Sequence, residues 1–500
     1  MSKRDSRLKS VDWIKKIIIR QGRAALFFRR SLFCIFFLSF VTSCADLAGP
    51  KYKQPQTPVK QAWSQQPETQ VSADEAIRSD WWTGFGDPYL NELVKQSITG
   101  NQNLRIFAAR IEDAGANIKV DRASLFPTIG ADATATFSRT VGSENFEGDS
   151  IQKSYTAKVA DLNWELDIWG KTRKGVNSSK AGYKASEWDW RATYLTLVSD
   201  VASRYFLIRQ LDEQIEKQGE TQDRNLLLLG IYEAQVGEGL LPEAQLLSQK
   251  AEIASLRQQL EDLRRQRQVA ELSLATLLGI PAGELTVPKA NLTNVVKLMD
   301  VPAGLPSELL KRRPDIIAQE YRVLAAHELV GQAKLEKLPT ISLTGAVEGS
   351  GPSAALSELI KTWTFGLGPS IRIPIFDKGI EARIKKRKAS TKVAEETYKD
   401  TVMRAFEEVE ILLTNLNSRI KQKALLENQI KHLSIVKQTR YAQLEEGLVS
   451  QLQVFETDRT LLAAELAKLQ THQQILSDTV TLYKALGGGW LSEDVQPTDL

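Results

Sequence analysis

The chain contains its own copy, and this duplication limits the folds open to it more than any other feature. At an offset of 212, Leu104, Arg110, Ala114, Pro127, Thr128 and Ile129 fall on Ile316, Arg322, Ala326, Pro339, Thr340 and Ile341. Near an offset of 207, Trp169 and Lys171 fall on Phe376 and Lys378; at 208, Gln235, Glu238, Gly239, Leu240 and Gln245 meet Gln443, Glu446, Gly447, Leu448 and Gln453. A repeat of this length means two copies of one supersecondary unit. Each half reads as helix, strand, strand, long helix, turn, helix.

The strands alternate with period two. In 129–138, Ile129, Ala131, Ala133, Ala135 and Phe137 alternate with Gly130, Asp132, Thr134, Thr136 and Ser138; in 160–168, Ala160, Leu162, Trp164, Leu166 and Ile168 alternate with Asp161, Asn163, Glu165 and Asp167. The second half repeats the device through Ile341, Leu343 and Val347, then through Trp363, Phe365, Leu367, Ile371 and Ile373. Such alternation gives one wet and one apolar face. A soluble antiparallel sheet with one buried face would read the same way. Strands of about 9–11 residues with aromatics near their ends also suit an outer-membrane barrel. Four strands cannot close one, because open edges in lipid leave backbone groups unsatisfied. Two copies give eight strands, whose interior side chains would fill; three give twelve and room for a pore.

The helices are long. No Pro interrupts Lys171 to about Ala234, so a helix of roughly 60 residues and about 90 Å is expected. Its successor carries heptads, with Leu246, Ile253, Leu260 and Leu274 at one position and Leu256, Leu263, Ala270 and Leu277 at the other; Arg267 interrupts the first series. Leu462, Leu469, Leu476 and Tyr483 pair with Leu466 and Val480 further on. Strict 3.5-residue repeats predict coiled-coil packing.

The N-terminus reads as an export signal. Residues 1–43 hold ten Lys or Arg and two Asp or Glu, so they supply +8 of a formal +4 and leave the remainder at −4. That balance gives no reason to expect nucleic acid as a partner. The apolar run from Ser31 to Ser43 is too short to span a bilayer, where about 20 residues are needed, and suits a signal-peptide core. It ends Val41-Thr42-Ser43-Cys44, similar to a bacterial lipobox, in which the Cys takes lipid and becomes the first mature residue. The alternative is ordinary secretory cleavage beside an incidental Cys. Ala45 at the second mature position favours the outer membrane.

Catalysis is poorly provided for. Cys34 leaves with the signal and Cys44 carries lipid, so no thiol remains for a disulfide, a metal or a nucleophile. His327, His432 and His472 are scattered, and no GxxxxGK[ST], GxSxG or GxGxxG stands between a strand and a helix. The expectation is a protein that is not an enzyme and holds no metal and no cofactor.

Ordered motifs then carry a family resemblance. They are Gly49-Pro50 with Tyr52, Trp81-Trp82 with Phe85 and Asp87-Pro88, Trp164-Glu165-Leu166-Asp167-Ile168-Trp169-Gly170, Gly304-Leu305-Pro306-Ser307, Arg313-Pro314-Asp315-Ile316, Pro374-Ile375-Phe376, and Tyr441 with Gly447-Leu448. From Cys44 to about Gly489 the sequence resembles a TolC-like outer-membrane efflux channel, in the lipoprotein branch that works with resistance-nodulation-division pumps. The resemblance implies an α+β membrane protein: a homotrimeric 12-stranded transmembrane β-barrel, four strands per chain, continuous with a long periplasmic α-helical coiled-coil barrel. It also implies a periplasmic adaptor (a membrane fusion protein) and an inner-membrane resistance-nodulation-division pump as partners, with the channel a passive conduit for drugs or other small molecules.

The division that follows is a signal peptide over 1–43, a lipidated N-terminal linker over 44–87, a first repeat over 88–285, a linker over 286–303, a second repeat over 304–489 and a C-terminal tail over 490–500. Gly239-Leu240-Leu241-Pro242 and Gly447-Leu448-Val449-Ser450 read as hairpin turns, since Gly caps a helix in the left-handed region and Pro or Ser suits the restart. By resemblance these turns meet the adaptor. Gln245, Gln453 and Glu456 are the candidate gate; family members often carry an acid at the two Gln positions. Lys385-Lys386-Arg387-Lys388 reads as a solvated helix face rather than a headgroup-binding patch. A periplasmic coiled-coil adaptor or structural lipoprotein would explain the helices and leave the strands without purpose.

Overall fold

The structure, a computed structural model, describes residues 52–57, 62–64, 80–140, 150–297, 309–355, 359 and 362–488. The signal segment, Val41, Thr42, Ser43 and Cys44, Gly49-Pro50, the Gly304 to Ser307 motif and the C-terminal tail lie outside the described residues. The elements run α1 (Pro88–Gly100), α2 (Gln102–Ala123), β1 (Thr128–Thr140), β2 (Ser150–Leu166), α3 (Lys171–Gly237), α4 (Glu243–Leu278), α5 (Pro314–Leu335), β3 (Thr340–Gly351), β4 (Trp363–Arg372), α6 (Lys378–Glu445) and α7 (Gln451–Ala485), with single-turn helices at Leu292–Val295 and Leu309–Arg312. Among the described residues no helix is long and apolar enough to cross a membrane. The chain divides into two units, one built chiefly on Asn117–Ala181 and Val323–Val393, the other on Pro55–Ala116, Gly182–Arg322 and the residues from Ala394 onward.

The first unit is organised by one antiparallel sheet in the order β1-β2-β3-β4, so β1 and β4 are its two outer strands. Strand β2 starts earlier than the alternation at 160–168 predicts and stops at Leu166, before Ile168. The reason is a bulge. Gly130 pairs Asp161 but Asp132 pairs Lys158, and on the other side Val347 pairs Ala160 while Glu348 pairs Lys158, so β2 carries one extra residue at Val159. A side-chain period of two means that one inserted residue reverses the facing of everything beyond it. Even-numbered apolar residues (Ala160, Leu162, Trp164, Leu166) and odd-numbered ones (Ile151, Tyr155, Ala157) therefore share a face. Both helices that follow a hairpin begin on an acid: Asp167 accepts from the amides of Thr172 and Arg173, each at 3.0 Å, and Asp377 from those of Gly379 (2.7 Å) and Ile380 (3.3 Å). Negative charge at the first turn satisfies free amides and the helix dipole together.

In the second unit Asp87 accepts from the Tyr89 amide at 2.9 Å, Pro88 fixes the first turn, and α1 buries Leu90, Leu93, Val94 and Ser97, one stripe at helical spacing. Aromatic rings fill the core: Trp81 stacks on Tyr483 at 5.1 Å and Phe85 meets the edge of Phe206 at 5.0 Å. Helices α1 and α4 end against each other, and a Cβ on Gly100 would lie 2.1 Å from the Leu278 carbonyl oxygen while one on Gly279 would lie 2.0 Å from that of Gly100. Only glycine fits both ends.

The heptads of α4 hold where Ile253, Leu256, Leu260, Ala270 and Leu274 are buried; Leu246, Leu263 and Leu277 are half-buried instead. Arg267 interrupts the series to make a buried ion network. Its guanidinium reaches Asp212 at 2.7 Å, Glu271 at 2.9 Å and the Val287 carbonyl at 2.7 Å. Glu271 also accepts from the Val287 amide at 2.6 Å, and Glu213 accepts from the Thr293 amide at 3.1 Å. Arg209 extends the network to the Tyr205 hydroxyl at 2.7 Å, and Tyr205 donates to Asp87. Polar groups at a coiled-coil core position are tolerable when each is satisfied, and here they bind residues 287–293 to α3 and α4.

Candidate functional site

The register of the sheet unit assigns each side chain to a face, because paired residues in an antiparallel ladder point the same way. One face carries Ile129, Phe137, Leu162, Trp164, Leu343, Val347, Phe365, Leu367 and Ile371; the other carries Asp132, Thr134, Thr136, Asp161, Asn163, Ser342, Thr344, Glu348, Thr364 and Ser370. The apolar face is exposed in a single chain at Ile129, Phe137, Phe365, Leu367 and Ile371, far more contiguous apolar surface than a water-facing sheet presents. Two indoles stand at the helix-proximal end, where Trp164 donates to the Leu125 carbonyl at 3.0 Å and Trp169 to the Pro339 carbonyl at 2.8 Å. The sequence shows both faces but not their continuity through Val159, although the change from odd to even apolar positions between Ala157 and Ala160 is a readable signal.

In the other unit the two helix hairpins end in matching turns. Gly239 and Gly447 have φ of 68° and 70°. The Leu240 amide returns to the Gln235 carbonyl and the Leu448 amide to that of Gln443, both at 2.8 Å, each a Schellman closure. Leu240 and Leu448 stand at the apices, 77% and 74% exposed, while Leu241 and Val449 are half-buried. The second hairpin is tied below its turn by Asp458, which takes the Lys437 ammonium at 2.8 Å and the Tyr441 hydroxyl at 2.8 Å. Burial, then the bond to Asp458, pushes the Tyr441 phenol up to about 12. The first is tied by Lys250 to Glu233 at 3.1 Å and by Gln249 to Asn225 at 2.9 Å.

The three candidate gate residues do different things. Gln245 lines a groove of about 370 Å³ between the hairpins, with Tyr232, Gln249, Leu452 and Phe455. Gln453 is the third residue of α7 and its side-chain oxygen accepts the Ser450 amide at 3.2 Å, a capping box with Ser450 as N-cap. The Ser450-x-x-Gln453 spacing is itself a helix-start signature and could have identified that role. Glu456 is exposed, and its carbonyl takes the Thr460 hydroxyl at 2.7 Å.

The family model for outer membrane efflux proteins matches residues 93–280 and 305–488. The chain is 30% identical over 429 residues to the pyoverdine export outer membrane protein OpmQ of Pseudomonas aeruginosa, covering 84% of this chain and 90% of that protein. It is 28% identical to the probable outer membrane lipoprotein SilC of Salmonella typhimurium, over 93% of this chain and all of the relative. Among solved structures, the outer-membrane channel OprN superposes with a TM-score of 0.78 at 27% identity, covering 89% of this chain and 99% of OprN.

Proposed function

Because the chain belongs to the outer membrane efflux protein family and is an outer-membrane efflux channel, we propose that three copies close one 12-stranded barrel and serve as the passive exit conduit of a tripartite pump. The carrying observation is the two-faced sheet with β1 and β4 at its ends. In lipid those edges must pair, and pairing β4 of one chain with β1 of the next satisfies both at once. The apolar face then meets lipid and the polar face lines a wet lumen wide enough for drugs or other small molecules. The channel performs no chemistry; energy comes from an inner-membrane resistance-nodulation-division pump through a periplasmic adaptor, which docks on the turns at Gly239, Leu240, Leu241, Gly447, Leu448, Val449 and Ser450.

The two repeats, 88–285 and 304–489, give each chain two hairpins of helices, so three chains present six at the tip. Exposed Leu240 and Leu448 support an apolar docking contact there, and Glu456 supports a gate set by charge. Cys44 anchors the protein by lipid: a radioactive fatty acid should label the wild type and not Cys44→Ser, and equal labelling would remove the anchor. Paired cysteines scanned along β1 (Thr134, Thr136) and β4 (Thr364, Gly366) test the closure. They should give a disulfide-linked trimer on denaturing gels, in a mature chain otherwise free of competing thiols. Intermolecular bonds that stop at dimers would reject the three-chain barrel.

A further inference from the structure

We propose that Lys385-Lys386-Arg387-Lys388, at the start of α6, bind the phosphates of acidic glycerophospholipids in the periplasmic leaflet of the outer membrane. Within one chain the run is exposed throughout, and among the described residues of that chain none of its four cations has an ion-pair partner. At the same offset of 207 these positions fall on Ser178, Ser179, Lys180 and Ala181 of α3, where one cation replaces four, and the cations nearer the start of α3 are paired: Lys171 lies 2.5 Å from Glu165, Arg173 lies 3.1 Å from Asp167 and Lys174 lies 2.9 Å from Glu328. The acids nearest the start of α6 are already engaged. Arg383 takes Glu336 at 2.6 Å, and Glu381 faces Lys337 at 3.9 Å. A solvated helix face normally interleaves its charges; four adjacent cations without a counter-charge repel one another, and an anionic surface relieves that repulsion.

Position supplies the occupant. Past the end of β4 at Arg372 the chain carries exposed Ile373, Ile375 and Phe376, the last two 95% and 82% exposed, and the Lys378 ammonium sits 5.8 Å from the centre of the Phe376 ring. An apolar band that ends in an aromatic and a lysine is the profile of a membrane interface. Residues 385–388 lie about 10–15 Å along the helix from Lys378, and side chains on a helix lean toward its N-terminus, so these long side chains reach back toward the sheet. Lys385 follows Lys378 by seven residues and shares its side of the helix. The headgroups at this end belong to the periplasmic leaflet, because the helices leave the sheet here. Unpaired charge beside exposed apolar surface favours the headgroup reading over the solvated face expected from sequence.

The purified assembly in detergent, titrated with phosphatidylglycerol and separately with phosphatidylcholine and read by native mass spectrometry, tests this. Wild type should retain the acidic lipid preferentially. Lys385→Gln/Lys386→Gln/Arg387→Gln/Lys388→Gln should lose that preference by about tenfold or more, given about fivefold per cation near an anionic surface. Lys385→Arg/Lys386→Arg/Lys388→Arg should keep it. So should a control that removes four unpaired cations elsewhere, Lys95→Gln/Lys289→Gln/Lys421→Gln/Lys431→Gln. Undiminished retention in the first variant, or equal loss in the control, overturns the proposal. So does a shift of single-channel ion selectivity with lipid retention intact, which would place these cations on the conduit. The inference rests on the apolar sheet face meeting lipid, and that reading fails separately if Arg at Leu367 is tolerated.

Discussion

The Ser450 amide donates to the side-chain oxygen of Gln453 at 3.2 Å, and the Gln453 amide returns to the Ser450 carbonyl at 3.1 Å. This reciprocal pair starts α7 directly after the exposed Leu448, so Gln453 organises the turn. Glu456, one turn on, is left as the residue able to act by charge. In the proposed gate, carboxylates brought together from three chains repel when ionised, which would leave a closed tip only marginally favoured and let a partner that prefers the open turns shift the population.

Gln453→Glu should accordingly keep the cap and the resting conductance of wild type in planar bilayers. Gln453→Ala should loosen the turn by about 0.5–1 kcal/mol. Leu448→Ala should raise resting conductance and sensitise cells to large antibiotics, whereas Glu456→Ala, which removes the repulsion between the three carboxylates, should lower resting conductance. An unchanged current in both single variants would move the constriction away from the tip and leave these turns with docking alone.

The bulge at Val159 makes a second, sharper test of the sheet. Arg at Leu162 or Leu367 should cost about 2–4 kcal/mol near the bilayer midplane, whereas Arg at Thr136 or Thr364 should be tolerated. Deleting Val159 should be worse than any of these, because one side of β2 must then turn its polar residues toward the apolar face. Folding into detergent micelles, followed by heat-modifiable mobility, measures all five variants. If Arg is equally harmful on both faces, the facing assignment is wrong.

What the sequence disclosed follows the range of the interactions. Ile129 to Ser138 reveal a strand because the signal is local and periodic, and Gly239 and Gly447 reveal turns because the left-handed backbone demands glycine. The start of β2 escaped because the alternation changes phase at Val159, so a reading anchored on Leu162 and Trp164 loses the pattern upstream. Arg267 showed only as a gap in a heptad. Its partners Asp212 and Glu271 lie 55 residues before and 4 after, and the long separation to Asp212 is set by the packing of α3 on α4, which no local pattern contains. The roles of Gln453 and of the basic run likewise depend on which neighbouring groups are already occupied.

That buried network yields a stability prediction. Asp212 is 2% exposed at its side chain and Arg267 15%, so Arg267→Ala strands a carboxylate in the interior and should cost about 3–5 kcal/mol. Arg209, 3.5 Å from Asp212, compensates only in part. Replacing both members, Arg267→Leu with Asp212→Leu, restores the heptad and removes the stranded carboxylate, but it leaves Glu271 with only the Val287 amide and Arg209 without its acid, so it should recover only part of the loss. Thermal unfolding of wild type, Arg267→Leu, Asp212→Leu and the double variant, treated as a double-mutant cycle, measures the coupling, with Arg267→Ala alongside; additive losses would show that the pair is not coupled.

The last prediction concerns acid. His472 on α7 is buried, its Nε2 has no hydrogen-bond partner among the described residues, and burial pulls its pKa down to about 4, with Lys423 and Lys468 adding to the fall and Glu427 opposing it. An unfolded chain protonates this imidazole near 6.5. Between those two values the unfolded state binds more protons than the folded one, so stability is unaffected above about pH 6.5 and declines as pH falls toward 4. Below that the penalty is complete, on the order of 3 kcal/mol per chain. His472→Leu keeps the apolar volume and removes the titration, so its unfolding midpoint should fall less than that of wild type between pH 6.5 and 4 and match it at pH 7.5. Asp478, whose carboxyl burial raises above the ordinary carboxylate range against the pull of Arg419, is common to both proteins and cancels in the comparison. Parallel pH profiles for the two proteins would show that His472 is solvated in the assembled protein and does not set its acid stability.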